Sequence, residues 1–328
     1  MNSPSEPAYP LVAIVGPTAS GKSALGIHLA EHLGGEVVAC DSTQVYRRFD
    51  IGTGKVLPAE WRGVAHHLMD LFEPDEIFTA GEYRRCALAV LEDLRSRKRL
   101  PIFTVGTGLY LRALLEGLAD APLRSEELRE RLRRSADKRG SEWLHRMLAR
   151  LDVEAAQRIA ARDTPKLIRA IEVCLLAGRP ISEVYRAGRP RLEGFVPVKI
   201  GLLPARDALY ARIEDRVEAM LAAGWLEEVR QRIAEGVLPT VKAFQFIGYR
   251  ELRAHLAGVV TLKQAVKATK QATRRYAKRQ ITWFRKEPGV HWFAGFGDDP
   301  AAVEAVLAYL NEHAALQGWP RCASPAAV

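Results

Sequence analysis

Residues 11–23 read LVAIVGPTASGKS, and this stretch decides the fold of the chain. Leu11 to Val15 is a continuous apolar run, which is typical of a strand that is buried on both faces of a parallel sheet. Gly16 and a loop follow at once, and a helix is predicted from about Lys22 to Leu33. The sequence therefore predicts a strand, a glycine-containing loop and a helix in direct succession.

The loop of this stretch matches the pattern G-x-x-x-x-G-K-[ST] of a phosphate-binding loop, or P-loop, in the strand-to-helix setting that the pattern requires. The predicted diphosphate-binding residues of this loop are Gly16, Pro17, Thr18, Ala19, Ser20, Gly21, Lys22 and Ser23. Loop amides and the helix N-terminus would hold phosphate oxygens, Lys22 would add a full positive charge, and the Ser23 hydroxyl would bind Mg²⁺. The pattern leaves open whether the phosphates belong to ATP, GTP or another diphosphate.

Further strands and helices alternate along the chain. Strands are predicted at 36–40, 101–105 and 196–203, with a helical segment at about 80–97, and residues 125–178 are helical and rich in charge. This order predicts an α/β fold: a P-loop NTPase-like parallel sheet core with an inserted helical domain. The predicted boundaries are 1–119 for the first part of the core, 120–197 for the insertion, and 198–328 for the second part of the core with a basic C-terminal helix.

The formal net charge of +9 is concentrated in one segment. From Thr240 to Lys286 there are twelve Lys or Arg and one acid, Glu251. Lysine or arginine recurs every three or four residues in a helix that is predicted to begin at Thr261, so these side chains form one stripe: Lys263, Lys267, Lys270, Arg274 and Lys278. Because acids are absent between Leu252 and Lys286, we interpret the stripe as a contact surface for nucleic-acid phosphates; a solvated basic face is the alternative.

Composition excludes several other classes of protein. There is no run of 18 apolar residues and no secretory or transit signal at the N-terminus, so we expect a soluble, cytoplasmic and monomeric protein with no membrane partner. The four cysteines are far apart in the sequence, which argues against a zinc site and against a disulfide framework. His66 and His67 form a pair without matching ligands, which favours packing over metal binding.

Polar residues follow two of the predicted strands at the point where ligands bind in open α/β sheets. Asp41 comes directly after the second strand, where it could bind Mg²⁺ through water, accept a proton, or cap a helix. Thr107 follows the third strand and offers a hydroxyl group. Arg212 and Arg216 lie one turn apart on a later helix, so they could reach a diphosphate together, with a purely structural role as the alternative.

Seven motifs occur in the order found in one family, and they cover residues 11–287: GPTASGKS, DSTQVYRRFDIGTGK, HHLMDLFEP, GTGLYLRALLEGL, RAIEV, IGYREL and ATRRYAKRQITWFR. With these motifs the chain resembles the tRNA dimethylallyltransferases of the isopentenyltransferase family. The resemblance implies dimethylallyl diphosphate as the ligand of the P-loop and a helical insertion that binds the anticodon stem-loop of tRNA. It also implies that the acceptor is N6 of the adenosine immediately 3′ of the anticodon. Where the family usually reads VGGTGLY, this chain has Val105 in place of one glycine.

The resemblance also assigns roles to individual residues. It implies that Asp41, Thr107 and Lys22 are catalytic, with Asp41 as the proton acceptor. Arg212 and Arg216 stay candidate diphosphate ligands beside the P-loop. The implied tRNA contacts are Asp41, Ser42, Thr43, Gln44, Thr107, Arg129, Pro165, Lys166, Leu167, Ile168, Arg169, Gln245, Phe246, Ile247, Gly248, Tyr249, Arg250, Lys278, Arg279, Gln280, Ile281, Thr282, Trp283, Phe284 and Arg285.

Three other functions are compatible with a P-loop in a chain of this kind. A small-molecule kinase would need the P-loop alone, but it would leave the basic helix unexplained. A prenyltransferase that acts on free adenine nucleotide would not need the insertion. A non-enzymatic RNA-binding ATPase is the third alternative.

Overall fold

The computed structural model describes residues 8–186, 188 and 190–320. The chain forms two compact units, which are called here the core unit, residues 1–114 with 193–328, and the helical unit, residues 115–192. The strands are β1 Tyr9–Val15, β2 Gly35–Cys40, β3 His66–His67, β4 Leu100–Val105, β5 Phe195–Leu203 and β6 Val290–Ala294. The helices of the core unit are α1 Lys22–Leu33, α2 Ala80–Ser96, α3 Gly108–Glu116, which continues into the helical unit, α9 Arg206–Ala222, α10 Trp225–Ala234, α11 Tyr249–Leu256, α12 Leu262–Phe284 and α13 Pro300–Glu312.

The core unit is built on one six-stranded sheet with the order β3-β2-β4-β1-β5-β6. Every neighbouring pair of strands is parallel, which confirms the predicted α/β sheet. The apolar run Leu11 to Val15 is fully buried near the middle of the sheet, as the absence of polar alternation predicts. Residues of α1 and α13 join the core of this unit with Leu25, Leu29, Val306 and Leu310.

The carboxyl ends of β1, β4 and β2 lie side by side. Val105 pairs with Val15 on one side and with Cys40 on the other. The residues that follow these ends, Gly16, Gly106 and Asp41, therefore leave the sheet at the same edge, where parallel sheets bind their ligands.

The strand and helix predictions are confirmed to within a few residues, but two strands were missed. β3 has only two residues, which is too short for any sequence pattern, and β6 is an edge strand that follows the basic helix directly. His66 and His67, which form β3, make hydrogen bonds to the Val64 carbonyl oxygen and to Glu36. Among the described residues no cluster of three or more potential metal ligands occurs.

The helical unit has its own apolar core. Its helices are α4 Glu126–Arg139, α5 Ser141–Leu151, α6 Val153–Arg158, α7 Thr164–Ala177 and α8 Ile181–Arg186. Leu144, Leu148, Leu167 and Ile171 are fully buried in it. The unit begins and ends five residues earlier than the predicted insertion, because Phe195 to Pro197 already pair with β1 in the sheet.

Two further observations concern expectations from composition. No helix in the described part of the chain has both the length and the hydropathy that a membrane span requires. Cys40, Cys86 and Cys174 are free thiols, while Cys322 lies outside the described residues.

Candidate active site

The P-loop connects β1 to α1 and leaves the N-terminus of α1 open. Gly21 is the N-cap residue in the left-handed region, with φ 87°, and no side chain caps this end of the helix. The first amides of a helix have no acceptor within the helix. The Ser20 hydroxyl is buried and has no hydrogen-bond partner among the described residues. Several donors therefore converge on a space that an anion would fill.

Lys22 lies folded back over this loop. Its Nζ donates to the carbonyl oxygens of Gly16 at 3.0 Å and Pro17 at 2.7 Å. Burial of the ammonium group, with a smaller contribution from Arg216, lowers the pKa of Lys22 to about 7, although the Asp41 carboxylate opposes the shift. The lowered pKa means that the groups around the Lys22 ammonium stabilise its positive charge less than water would.

The Asp41 carboxylate is fixed at the end of β2. Its Oδ1 accepts hydrogen bonds from the amide of Thr43 at 2.8 Å and from the Thr43 hydroxyl at 2.6 Å. Its Oδ2 lies over Gly106, where any Cβ atom would collide with it. Val105 is the last residue of β4 and is fully buried, so the departure from the family pattern falls inside the strand and the glycine that Asp41 requires is present.

Thr107 joins the loops that follow β2 and β4. Its Oγ1 accepts the amide hydrogen of Ser42 at 3.1 Å and donates to the Ser42 hydroxyl at 3.3 Å. Thr107 thereby fixes the residue next to Asp41. Both predicted strand-end residues are brought together at one edge of the sheet.

Two side chains of α12 reach into the same place. Tyr276 and Gln280 donate to the Gly106 carbonyl oxygen at 3.1 Å and 2.8 Å. Gln280 Oε1 also accepts the amide hydrogen of Thr18 at 2.7 Å, so it connects the P-loop to the loop after β4. Sequence reasoning missed Tyr276 as a site residue, although it lies within the motif ATRRYAKRQITWFR.

Two cavities meet at Asp41. The first, called here the P-loop cavity, has a volume of about 680 Å³ and is lined by the P-loop from Thr18 to Ser23, with Lys55 and Arg212. The second, called the aromatic cavity, has a volume of about 320 Å³ and is lined in part by Trp225, Phe246, Ile213 and Met220. The residues that line both cavities are Thr18, Ala19, Asp41, Thr53, Arg216 and Tyr276.

Arg212 and Arg216, both on α9, occupy different places. The Arg216 guanidinium lies over Gly54, where a side chain on residue 54 would collide with it, and it lines both cavities. Burial and the neighbouring Arg212 lower the pKa of Arg216, while Asp41 opposes the shift. Arg212 lies at the edge of the P-loop cavity and forms an ion pair with Asp298.

The loop of residues 50–55 is anchored by Glu228, which the sequence did not reveal, and by Tyr249, which was predicted to contact tRNA instead. Glu228 Oε2 accepts the amide hydrogens of Asp50 at 2.8 Å and Ile51 at 2.9 Å. The Tyr249 hydroxyl accepts the Gly52 amide hydrogen at 3.0 Å and donates to Glu228 Oε1 at 2.5 Å. The motif IGYREL therefore supports this loop, and only its occurrence in the family order signalled its importance.

Six of the predicted tRNA contacts are buried inside the units, and their contact with tRNA stays a prediction. These buried residues are Leu167, Ile168, Gly248, Tyr249, Gln280 and Phe284. Their neighbours in the same motifs remain at the surface: Pro165, Lys166, Gln245, Arg250, Lys278, Arg279, Thr282, Trp283 and Arg285.

In the helical unit, Arg129 and Arg169 support the fold. Arg129 Nη2 and Arg169 Nη1 each donate to Oε2 of the buried Glu172, both at 2.8 Å. Although burial opposes the shift, the hydrogen bonds of these arginines lower the pKa of Glu172 to about 2. Each of the two guanidinium groups has Glu172 as an internal partner, and direct contact of Arg129 and Arg169 with RNA stays a prediction.

The basic stripe of α12 is also different from the prediction. Lys270 Nζ lies 2.6 Å from Glu218 Oε1, and Arg274 forms an ion pair with Glu214. Acids are absent from residues 252–286, but these two carboxylates come from α9, fifty to sixty residues earlier in the chain. Lys263, Lys267 and Lys278 of the stripe stay exposed, and Arg275 adds an exposed cation one turn before Lys278.

Comparisons with known proteins agree with this architecture. The model of the IPP transferase family matches residues 44–287. The protein named tRNA dimethylallyltransferase from Solibacter usitatus is 49% identical over 299 residues, 91% of this chain and 97% of that protein. Its namesake from Koribacter versatilis is 51% identical over 298 residues, 89% of this chain and 95% of that protein.

Solved structures of two proteins also resemble the fold of this chain. A tRNA isopentenylpyrophosphate transferase from Bacillus halodurans superposes with a TM-score of 0.69 at 36% identity, covering 94% of this chain and 97% of that one. A eukaryotic dimethylallyltransferase described as acting on tRNA superposes with a TM-score of 0.77 at 25% identity, covering 95% and 78%. With its P-loop, its strand-end aspartate and these relatives, the chain belongs to the IPP transferase family.

Proposed function

We propose that this protein transfers a dimethylallyl group from dimethylallyl diphosphate to N6 of the adenosine immediately 3′ of the anticodon in tRNA, and releases diphosphate. The observation that carries this proposal is the position of Asp41 at the junction of the P-loop cavity and the aromatic cavity. A diphosphate and a base can then approach one carboxylate from two sides. The names of the relatives, tRNA dimethylallyltransferase, support the same reaction.

The diphosphate would bind in the P-loop cavity. The open N-terminus of α1, the Lys22 ammonium and the Arg216 guanidinium supply positive potential there. Preorganised donors of this kind stabilise a leaving group most strongly where its charge develops. Their contribution is therefore greatest as the bond between C1 and the diphosphate oxygen breaks.

We propose Mg²⁺ as the metal cofactor of this cavity. The Ser23 hydroxyl and the carboxylates of Asp41 and Asp215 line it, and Mg²⁺ prefers such oxygen ligands. No dedicated cluster of protein ligands exists in the described part of the chain, so diphosphate oxygens and water would complete the coordination. When bound, the ion would neutralise charge on the departing diphosphate.

In the transfer itself, the lone pair of N6 forms a bond to the prenyl C1 while the C1–O bond breaks and its electron pair leaves with the diphosphate. The amine then loses a proton, which Asp41 accepts. Because Oδ1 is held by Thr43, Oδ2 is the oxygen that remains for the amine. Thr107 holds the Ser42 amide and so keeps the carboxylate in place.

The acceptor adenine would enter the aromatic cavity after leaving the stack of its loop. Bases that are processed by enzymes are commonly flipped into such a pocket, and unpaired loops make this inexpensive. Trp225, Phe246 and Tyr276 line the cavity with aromatic surface. We further propose that the helical unit binds the anticodon stem-loop through exposed cations of α4: Arg131, Arg134 and Lys138.

A small-molecule kinase would also use the P-loop cavity. It gives no role to the aromatic cavity or to a carboxylate placed between the two. A prenyltransferase for free adenine nucleotides would use both cavities but would not need exposed cations on α4 and α12. Both alternatives are decided by the acceptor that the protein uses.

The test is a transfer assay with labelled dimethylallyl diphosphate, Mg²⁺ and either unmodified tRNA or AMP. We expect label in tRNA, at the adenosine next to the anticodon after nuclease mapping, and none in AMP. Transfer to AMP, or hydrolysis of ATP without any prenyl transfer, would contradict the proposal.

Asp41→Asn keeps the size of the side chain but removes its basicity. General base catalysis contributes about 10² to 10⁴-fold, so we expect the rate of a single turnover to fall by that factor while the Kd for tRNA stays unchanged. The matched control is Asp207→Asn on the first turn of α9, an exposed carboxylate that lines neither cavity. A rate for Asp41→Asn within twofold of wild type would return Asp41 to a structural role.

The surface of α12 allows a matched comparison of two charge-neutralising double variants. Arg275→Gln with Lys278→Gln removes exposed cations, whereas Lys270→Gln with Arg274→Gln removes cations that are paired with α9. We expect the first pair to weaken tRNA binding and to lower the slope of log Kd against log salt by about 0.7–0.9 per lost phosphate contact. The second pair should change that slope much less. Equal slopes for both variants would show that this face does not contact RNA.

A further inference from the structure

The loop between β6 and α13 lies directly on the P-loop. The Gly297 amide donates to the Ser20 carbonyl oxygen at 2.8 Å. A Cβ atom on Gly21 would lie 2.6 Å from the Gly297 nitrogen, and one on Gly297 would lie 2.5 Å from the Gly21 carbonyl oxygen. The two backbones are therefore in contact, and glycine is required on both sides. Residues 296–298 are called here the clamp loop.

The clamp loop also holds Arg212. Asp298 accepts two hydrogen bonds from this guanidinium, at 2.8 Å from Nη1 and 2.5 Å from Nη2. The Arg212 Cζ atom lies 4.5 Å from the centre of the Phe296 ring. Phe296 in turn packs against a cluster that contains Ala19 of the P-loop and Leu209 of α9. Arg212 is thus fixed by a bidentate ion pair and by a stacked ring.

The fixed guanidinium faces the site already described. Arg212 lines the P-loop cavity together with Lys22 and Arg216. Without a partner, a side chain that is 37% exposed and close to the Arg216 guanidinium would gain rotamer freedom and reduce repulsion by moving into solvent. The Asp298 carboxylate beside the Arg212 guanidinium limits its rotamer freedom and offsets the repulsion.

We propose that Asp298 is a positioning residue for the transferase reaction: it holds Arg212 at the edge of the P-loop cavity so that the remaining N–H groups of the guanidinium bind the departing diphosphate. The inference rests on the proposed function, because it assumes that a diphosphate occupies this cavity. An end-on bidentate pair uses one hydrogen of each Nη atom, so Nε–H and one hydrogen on each Nη stay available as donors.

The opposite role is also conceivable from the same ion pair. If Asp298 competed with the diphosphate for Arg212, its removal would free the arginine and tighten diphosphate binding. The stacking on Phe296 and the backbone contact of Gly297 favour positioning, because they keep the guanidinium in place independently of the ligand. The two roles predict opposite changes in affinity.

The test compares Asp298→Asn with the neighbouring Asp299→Asn. Asp299 caps α13 through the Ala301 amide, and asparagine caps helices equally well, so this control removes the same charge without touching Arg212. For Asp298→Asn we expect kcat/KM for dimethylallyl diphosphate to fall at least about tenfold, as for a lost hydrogen bond to a charged group, with an unchanged Kd for tRNA. Asp298→Glu should restore part of the loss.

The decisive measurement repeats Asp298→Asn in an Arg212→Met background. If Asp298 acts through Arg212, the second substitution has little further effect. An equal loss in that background, no loss in the wild-type background, or tighter binding of dimethylallyl diphosphate by Asp298→Asn would each overturn the proposal. Calorimetry with inorganic diphosphate gives the same comparison without catalysis. Because this calorimetry needs no turnover, it tests the role of Asp298 even if the transferase assay fails.

Discussion

The site is organised around the buried ammonium group of Lys22. It lies at the open N-terminus of α1, where it donates to the carbonyl oxygens of Gly16 and Pro17 and has a pKa lowered by burial. Such an arrangement is costly until a negative ligand fills it. The surrounding contacts keep the loop in this state: Gln280 holds it from α12, and the clamp loop holds it from the other side. The other residues of the site surround the P-loop, where a bound anion would stabilise the Lys22 ammonium group.

The parallel sheet places the residues that follow its strands next to the P-loop. Because β4 ends beside β1 and β2 ends beside β4, Asp41 and Gly106 reach the edge of the P-loop without any long connection. Asp41 and Tyr276 line both the P-loop cavity and the aromatic cavity. One carboxylate can thus meet a leaving group on one side and a base on the other, which an alkyl transfer requires.

Local sequence patterns predicted much of this site. The P-loop, Asp41 and Thr107 each follow a buried strand, so their positions could be derived from strand ends alone. The residues that contact the site from distant parts of the chain could not be derived in this way. Glu228 and Tyr249 support the loop of residues 50–55 from other helices, and Glu214 and Glu218 pair with two of the five cations of the predicted basic stripe. Nothing in the spacing of α12 reveals which of its faces packs on α9, so the exposed cations could be identified only in the folded chain.

The central claim, that the buried Lys22 ammonium is completed by an isoprenyl diphosphate, is tested most directly by proton uptake on binding. With a pKa of about 7, Lys22 is mostly neutral at pH 8 in the unliganded protein, and a bound diphosphate raises that pKa. Calorimetry of dimethylallyl diphosphate binding at pH 8, in two buffers with different ionisation enthalpies, should therefore show close to one more proton taken up by wild type than by Lys22→Ala. At pH 6, where Lys22 is already protonated, the difference should disappear. Equal proton uptake by both proteins at pH 8 would contradict the account.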